Sequence, residues 1–116
     1  MRNREAGRHR GLIVPAQPDI TVPEPGLQRQ VLAHNPAMML VRHQMRKGWR
    51  GASHCHPQEQ MVYIIGGRLR FTVGGNSFEA NPGDSFIVES NIEHHATALE
   101  DSVLLDVFSP ARQDYL

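Results

Sequence analysis

What most restricts the fold of this chain is the pace of its turn chemistry. From Gln28 onward, apolar and polar residues alternate in short runs. Each run is cut by residues that favour turns: Asn35-Pro36, Lys47-Gly48, Gly66-Gly67, Gly74-Gly75-Asn76, Pro82-Gly83-Asp84 and Ser90-Asn91. No window holds a helical period of useful length. Alternate side chains on a strand face opposite ways, so the runs at 28–34, 38–45, 61–65, 69–73, 77–80, 85–88 and 103–108 predict strands. Many short strands at close spacing argue for an all-β sandwich or closed barrel. A chain of 116 residues supports one core and not two.

Residues 1–26 read differently. Pro15, Pro18, Pro23 and Pro25, with Gly7, Gly11 and Gly26, exclude a helix or a central strand. This segment is expected to be extended or partly disordered, running over the surface or pairing at an edge, ahead of a domain over 27–116. Arg2, Arg4, Arg8 and Arg10 are read as part of a solvated lead-in. Twelve basic residues balance twelve acidic ones, which gives no electrostatic case for nucleic acid or an anionic membrane. Cys55 is the only cysteine, so no internal disulfide can form, and a reducing compartment fits. No apolar run approaches the roughly 20 residues of a membrane-spanning helix. Leu12-Ile13-Val14 is stopped by Pro15 and lacks the length of a secretory signal core. A cytoplasmic location is the expectation.

Seven histidines are present, four of them in two pairs: His54 with His56, and His94 with His95. His-x-His on a strand places both rings on one face, where two imidazoles can bind one divalent metal. Cys55 between them then faces the other way and is read as a packed or surface thiol. On the next strand Gln60, Val62 and Ile64 share one face and Met61, Tyr63 and Ile65 the other. Either Gln60 or Glu59 can supply an oxygen ligand.

The spacing around these residues resembles that of the cupins. Gly48, five residues, His54-Cys55-His56, three residues, Gln60, six residues and Gly67 follow the first cupin motif, with Gln60 where glutamate is usual. Gly83, Glu89-Ser90-Asn91 and His94 follow the second. Asn91 stands where that motif has a glycine and can adopt its left-handed conformation; Ala98 replaces the usual final asparagine. The resemblance runs from about Gly48 to the end of the chain. It implies a small single-domain cupin β-barrel (a double-stranded β-helix or jelly roll) with a divalent metal held by His54, His56, Gln60 and His94. His95 is left to a surface or packing role. The usual cupin set of three histidines and a glutamate leaves one positive charge on the site, whereas a glutamine leaves the ion dipositive. That favours Lewis-acid proton transfer over redox chemistry. Nickel, zinc, iron or manganese would suit such a set.

The C-terminal run divides into an aliphatic face, Val103, Leu105 and Val107, and a mixed face, Leu104, Asp106 and Phe108. An acid facing a metal pocket is a natural proton carrier; the alternative is an Asp106 on a solvent edge. The ending Asp106-x-Phe108-x-x-x-Arg112, together with Gln60, is similar to the pectin-degradation cupins of the KdgF type. That family opens 4,5-unsaturated uronates, the products of polysaccharide lyases, to the linear keto acid. The resemblance implies catalytic roles for Asp106, Phe108 and Arg112. Arg112 would hold the carboxylate in two parallel hydrogen bonds, Asp106 would move a proton, and Phe108 would form an apolar wall.

Other positions carry weaker signals. His43 shares parity with Met39, Val41 and Met45, and reads either as a core histidine or as a pocket residue. Trp49 is read as packing, with stacking on a sugar as the alternative. Met38, Met39, Met45 and Met61 are read as core fillers. Arg68 and Arg70 are expected to face solvent or a second subunit, a homodimer being what the resemblance implies. Three function classes follow: a metal-dependent isomerase-type enzyme acting on a small sugar acid, a metal-dependent dioxygenase or decarboxylase, and a non-catalytic sugar- or metal-binding module.

Overall fold

The computed structural model describes Ile13 and residues 19–116. The expected lead-in, with Arg2, Arg4, Arg8 and Arg10, lies outside the described residues. Nine strands follow one another: β1 (Ile20–Glu24), β2 (Leu27–Asn35), β3 (Met38–Met45), β4 (Glu59–Gly66), β5 (Leu69–Val73), β6 (Asn76–Ala80), β7 (Ser85–Val88), β8 (His94–Ala98) and β9 (Ser102–Ser109). A single turn of 3-10 helix, Gln113–Tyr115, ends the described chain. No helix among the described residues is long and apolar enough to cross a membrane.

All pairings are antiparallel. Six strands form one sheet in the order β1-β2-β3-β9-β4-β7, and three form a second in the order β6-β5-β8. This is the all-β architecture that the turn pattern predicts. β1 pairs only with β2, at the sheet edge, so its Pro23 removes no ladder bond from a central strand. The run at 94–98 forms a further strand, β8, beyond the runs that the alternation predicts.

The inward rows explain the pairing. β4 buries Gln60, Val62 and Ile64 and exposes Met61, Tyr63 and Ile65. β9 buries Ser102, Leu104, Asp106 and Phe108, while its aliphatic row lies half-buried on the outer face. The main apolar cluster lies between the two sheets. Leu27, Met45, Val62, Ile64 and Leu104 come from the larger sheet, and Leu69, Phe71, Ala80, Ala96 and Ala98 from the smaller. Val62, Ile64 and Leu69 are fully buried, each worth about 1.5–3 kcal/mol. A second, smaller cluster joins Met39, Val41, Phe108 and Ala111, with Val31 and Tyr115 against it. Met39 and Met45 therefore fill cores as expected, but Met38 and Met61 do not. They are 52% and 50% exposed, because their parity points them to the outer face.

Two turns need special backbone. Gly67 has φ +86°, and a Cβ there would run into the Asp101 carbonyl oxygen and Ser102 Oγ. Asn91 takes φ 62°, the left-handed conformation that the sequence assigned to it.

Candidate metal centre

The segment carrying His54 and His56 is not a regular strand. It forms one isolated bridge, in which the amide of His54 donates to the His94 carbonyl at 3.0 Å and the amide of His94 to that of His54 at 2.9 Å. The Asn91 amide donates to the His56 carbonyl at 2.8 Å. The two motifs are thus bolted together through backbone, and the rings converge without a strand's alternation. Cys55 between them is exposed.

One ligand-capable atom from each of His54, His56 and His94 lies within 4.8 Å of the others, a group that could hold a metal ion. Each ring has its Nδ1 against a backbone carbonyl two residues away: His54 on Ala52 at 3.0 Å, His56 on Gln58 at 3.0 Å, His94 on Ile92 at 2.8 Å. A carbonyl only accepts, so Nδ1 carries the proton and Nε2 keeps its lone pair. Burial is the main cause that lowers the proton affinity of His56, helped by the nearby Arg112 charge; burial likewise lowers that of His94. Both rings therefore favour the neutral, ligand-competent form.

Gln60 lies buried beside the three rings, with Oε1 3.1 Å from His56 Nε2. Its amide orientation follows from its other partner. Gln60 Nε2 donates to Asp106 Oδ1 at 2.8 Å, and an ionised carboxylate can only accept. Gln60 Oε1 and His56 Nε2 are thus two lone pairs facing each other at hydrogen-bond distance. His94 Nε2 is buried with no partner among the described residues. Both features are costly as they stand, and a cation that accepts these lone pairs relieves them. The donor set fits a divalent ion. Glu59, the alternative oxygen donor, is exposed, and its carboxylate accepts from the Ser90 amide at 3.4 Å.

Behind Gln60 a hydrogen-bonded band crosses four adjacent strands. Arg29 on β2 donates through Nε to His43 Nε2 at 3.0 Å. His43 on β3 meets Asp106 Oδ2 through Nδ1 at 2.7 Å. Because Arg29 can only donate, the proton of a neutral His43 sits on Nδ1, where it is given to Asp106. Asp106 on β9 is 3% exposed and has one partner on each oxygen, His43 and Gln60. It is not at a solvent edge. Each oxygen keeps a second lone pair.

A cavity of about 370 Å³ opens on this band and on His54 and His94; Asp106, Phe108 and Arg112 all line it, as do His43 and Trp49. Phe108 is buried, edge-on to His56 with centroids 5.6 Å apart. Arg112 is already forked onto Asp114, Nε to Oδ1 at 3.2 Å and Nη2 to Oδ2 at 2.8 Å. Its guanidinium also lies 4.3 Å from the Tyr115 ring centre. Trp49 packs against the main core and donates to Glu24 Oε1 at 2.8 Å.

The sequence reading missed Arg29, Asp114 and Tyr115. Arg29 had a signal: in the β2–β3 hairpin it is the direct partner of His43. Asp114 and Tyr115 had none, since a docked tail carries no periodicity.

Nine antiparallel strands in two facing sheets, with three histidines and an amide gathered between them, define a class, and the chain belongs to the cupin family: the cupin domain pattern matches residues 41–108. Within it, the chain is similar to the pectin degradation protein KdgF of Dickeya dadantii (strain 3937). The two are 31% identical over 93 residues, covering 78% of this chain and 84% of that protein. Two solved structures are also similar. KdgF from Halomonas sp. has a TM-score of 0.81 at 37% identity, covering 84% of this chain and 91% of that one. An RmlC-like cupin from Shewanella frigidimarina NCIMB 400 has a TM-score of 0.83 at 35% identity, covering 86% and 90%.

Proposed function

We propose that this chain is an isomerase-type enzyme that opens a 4,5-unsaturated uronate to its linear keto acid. The observation that carries the reading is Asp106, a buried carboxylate hydrogen-bonded to Gln60 and lining the same cavity as His54 and His94. The similarity to two KdgF proteins supports it. In this reading His54, His56, His94 and Gln60 hold a divalent ion, which supplies Lewis acidity toward the oxygens of a bound sugar acid.

The reaction is a rearrangement with no atom gained or lost. The hemiacetal hydroxyl gives up its proton, the ring C–O bond at that carbon breaks, and the ring oxygen leaves as an enol oxygen. The alkene carbon distal to that oxygen then takes a proton, and the enol becomes a ketone. Asp106 is the group proposed to carry the proton, using the lone pairs that His43 and Gln60 leave free. Phe108 forms an apolar wall beside His56, and Arg112 stands at the carboxylate end of the cavity. A homodimer belongs to the same reading. The row of exposed Met61, Tyr63, Ile65 and Ile87 on the outer face of β4 and β7 supports it, whereas Arg68 and Arg70 are engaged within the chain by Glu79 and Glu100.

The test is the ultraviolet absorbance of an unsaturated uronate, which vanishes as the alkene is lost. Metal-loaded protein should speed the decay over the spontaneous rate, and a chelator should return it to that rate. Decay at the spontaneous rate with high concentrations of loaded protein would end the proposal for this substrate class. Oxygen uptake on addition of substrate would instead favour an oxygenase.

A further inference from the structure

Each acid around the cavity already has its own donor. Asp106 accepts from His43 and Gln60, Glu24 accepts from Trp49, and Asp114 accepts from Arg112 in a two-point fork. The fork matters because it uses two donors of the guanidinium in the geometry a substrate carboxylate would need. A ligand reaching Arg112 must compete with a carboxylate two residues away in the chain.

Arg29 is different. It lines the same cavity and is half-buried, yet among the described residues the only hydrogen-bond partner of its guanidinium is His43, through Nε. Among the described residues no carboxylate lies within ion-pair distance of it. Its guanidinium lies 3.6 Å over the centre of the Tyr115 ring. That contact and the His43 bond fix the plane of the group from two directions, so little freedom remains to be lost when a ligand arrives. A partly buried guanidinium whose terminal amino groups lack a charged partner is poised for an anion.

We propose that Arg29 is the specificity-determining residue that receives the substrate's carboxylate, with Arg112, held by Asp114, as its neighbour across Tyr115. The proposal rests on the reading of the substrate as a uronate. It names a residue on β2, outside the C-terminal motif, and it links recognition to chemistry. The arginine that binds the carboxylate is the one that fixes the tautomer of His43, which in turn holds Asp106.

The experiment uses the metal-loaded full chain and two unreactive probes, galacturonate and galactose, which differ at the carboxylate. Calorimetric titration of the wild-type protein should show preference for galacturonate. Arg29→Gln should weaken galacturonate by about 10- to 100-fold, the worth of a charge-assisted hydrogen bond, and leave galactose within about twofold. Arg29→Lys should recover part of the loss, and it controls for a folding defect in the glutamine variant. Arg112→Gln should shift the galacturonate-to-galactose ratio less than Arg29→Gln does. Wild type binding both probes alike, or failing to bind galacturonate, overturns the proposal. So does an Arg29→Gln that weakens both probes equally, which would mark a merely structural role, or one that leaves galacturonate binding intact. Failure of the uronate reading is seen separately, as loaded wild-type protein that does not speed the loss of alkene absorbance.

Discussion

The two apolar clusters, one on each side of the polar band, are built in different ways. The larger takes residues from both sheets and is closed between them. The smaller takes Met39, Val41, Phe108 and the adjoining Val31 from the larger sheet alone, and its other members, Ala111 and Tyr115, belong to the chain's end. The same three strands feed both. β3 passes from Met45 through His43 to Val41 and Met39, β9 from Leu104 through Asp106 to Phe108, and β2 from Leu27 through Arg29 to Val31. A shift of two residues along a strand therefore moves from fold to chemistry, and two more moves to a surface on which a tail can dock. The larger cluster should set stability, and the smaller should set the shape of the site.

Substitutions can break or sharpen that division. Ile64→Ala should have the largest effect, costing about 2–5 kcal/mol through lost burial and a residual cavity. A thermal melt should show a single cooperative transition displaced by ten degrees or so. Below the melt, activity per folded molecule should be intact. Tyr115→Ala should cost less stability, about 1–2 kcal/mol by the usual range for single substitutions, and more function. Arg29 and Arg112 share the Tyr115 ring, at 3.6 and 4.3 Å from its centre, and both would lose it. Its signature is a raised KM in protein whose melting point falls by about half as much as that of Ile64→Ala, or less. A melt shifted as far as that of Ile64→Ala, with KM unchanged, would show the two clusters to be equivalent.

Asp114→Asn should give the smallest effect. The Arg112 fork, first among the causes, holds the Asp114 carboxyl below its ordinary value near 3.8. A depressed carboxylate stabilises the fold above that ordinary value, and the contribution is lost as pH falls through the lowered one. The side chain of Asp114 is 61% exposed, so screening limits the gain to below about 1 kcal/mol. Urea midpoints of wild type and variant should differ slightly at neutral pH and converge in acid. A gap that widens in acid would reverse the sign of this account.

Much of this was legible because period-two alternation reports directly on facing. The parities of Gln60-Val62-Ile64 and Leu104-Asp106-Phe108 are those the structure buries. Asn91 takes the left-handed turn expected of it. The errors have physical causes too. Met38 and Met61 look like core by composition, but register alone puts them outside. The His54–His56 segment looks like a strand, yet its rings converge through a single bridge to His94. Arg112 suggests a free fork until Asp114, two residues on, is seen to fill it. Contacts made by irregular backbone leave no periodic trace, and the tail around Tyr115 is such a case.

The backbone carbonyls that fix the three histidine tautomers have a consequence for how freely this centre can drift. Ala52, Gln58 and Ile92 serve it only through main-chain oxygens. The side chains of Ala52 and Ile92 are therefore open to replacement so long as the loops keep their path, whereas that of Gln58 also donates to the Ala111 carbonyl at 3.4 Å. The arrangement tolerates sequence change immediately next to its most demanding chemistry, so remodelling of the loops for a new sugar can proceed without first dismantling the histidine cluster.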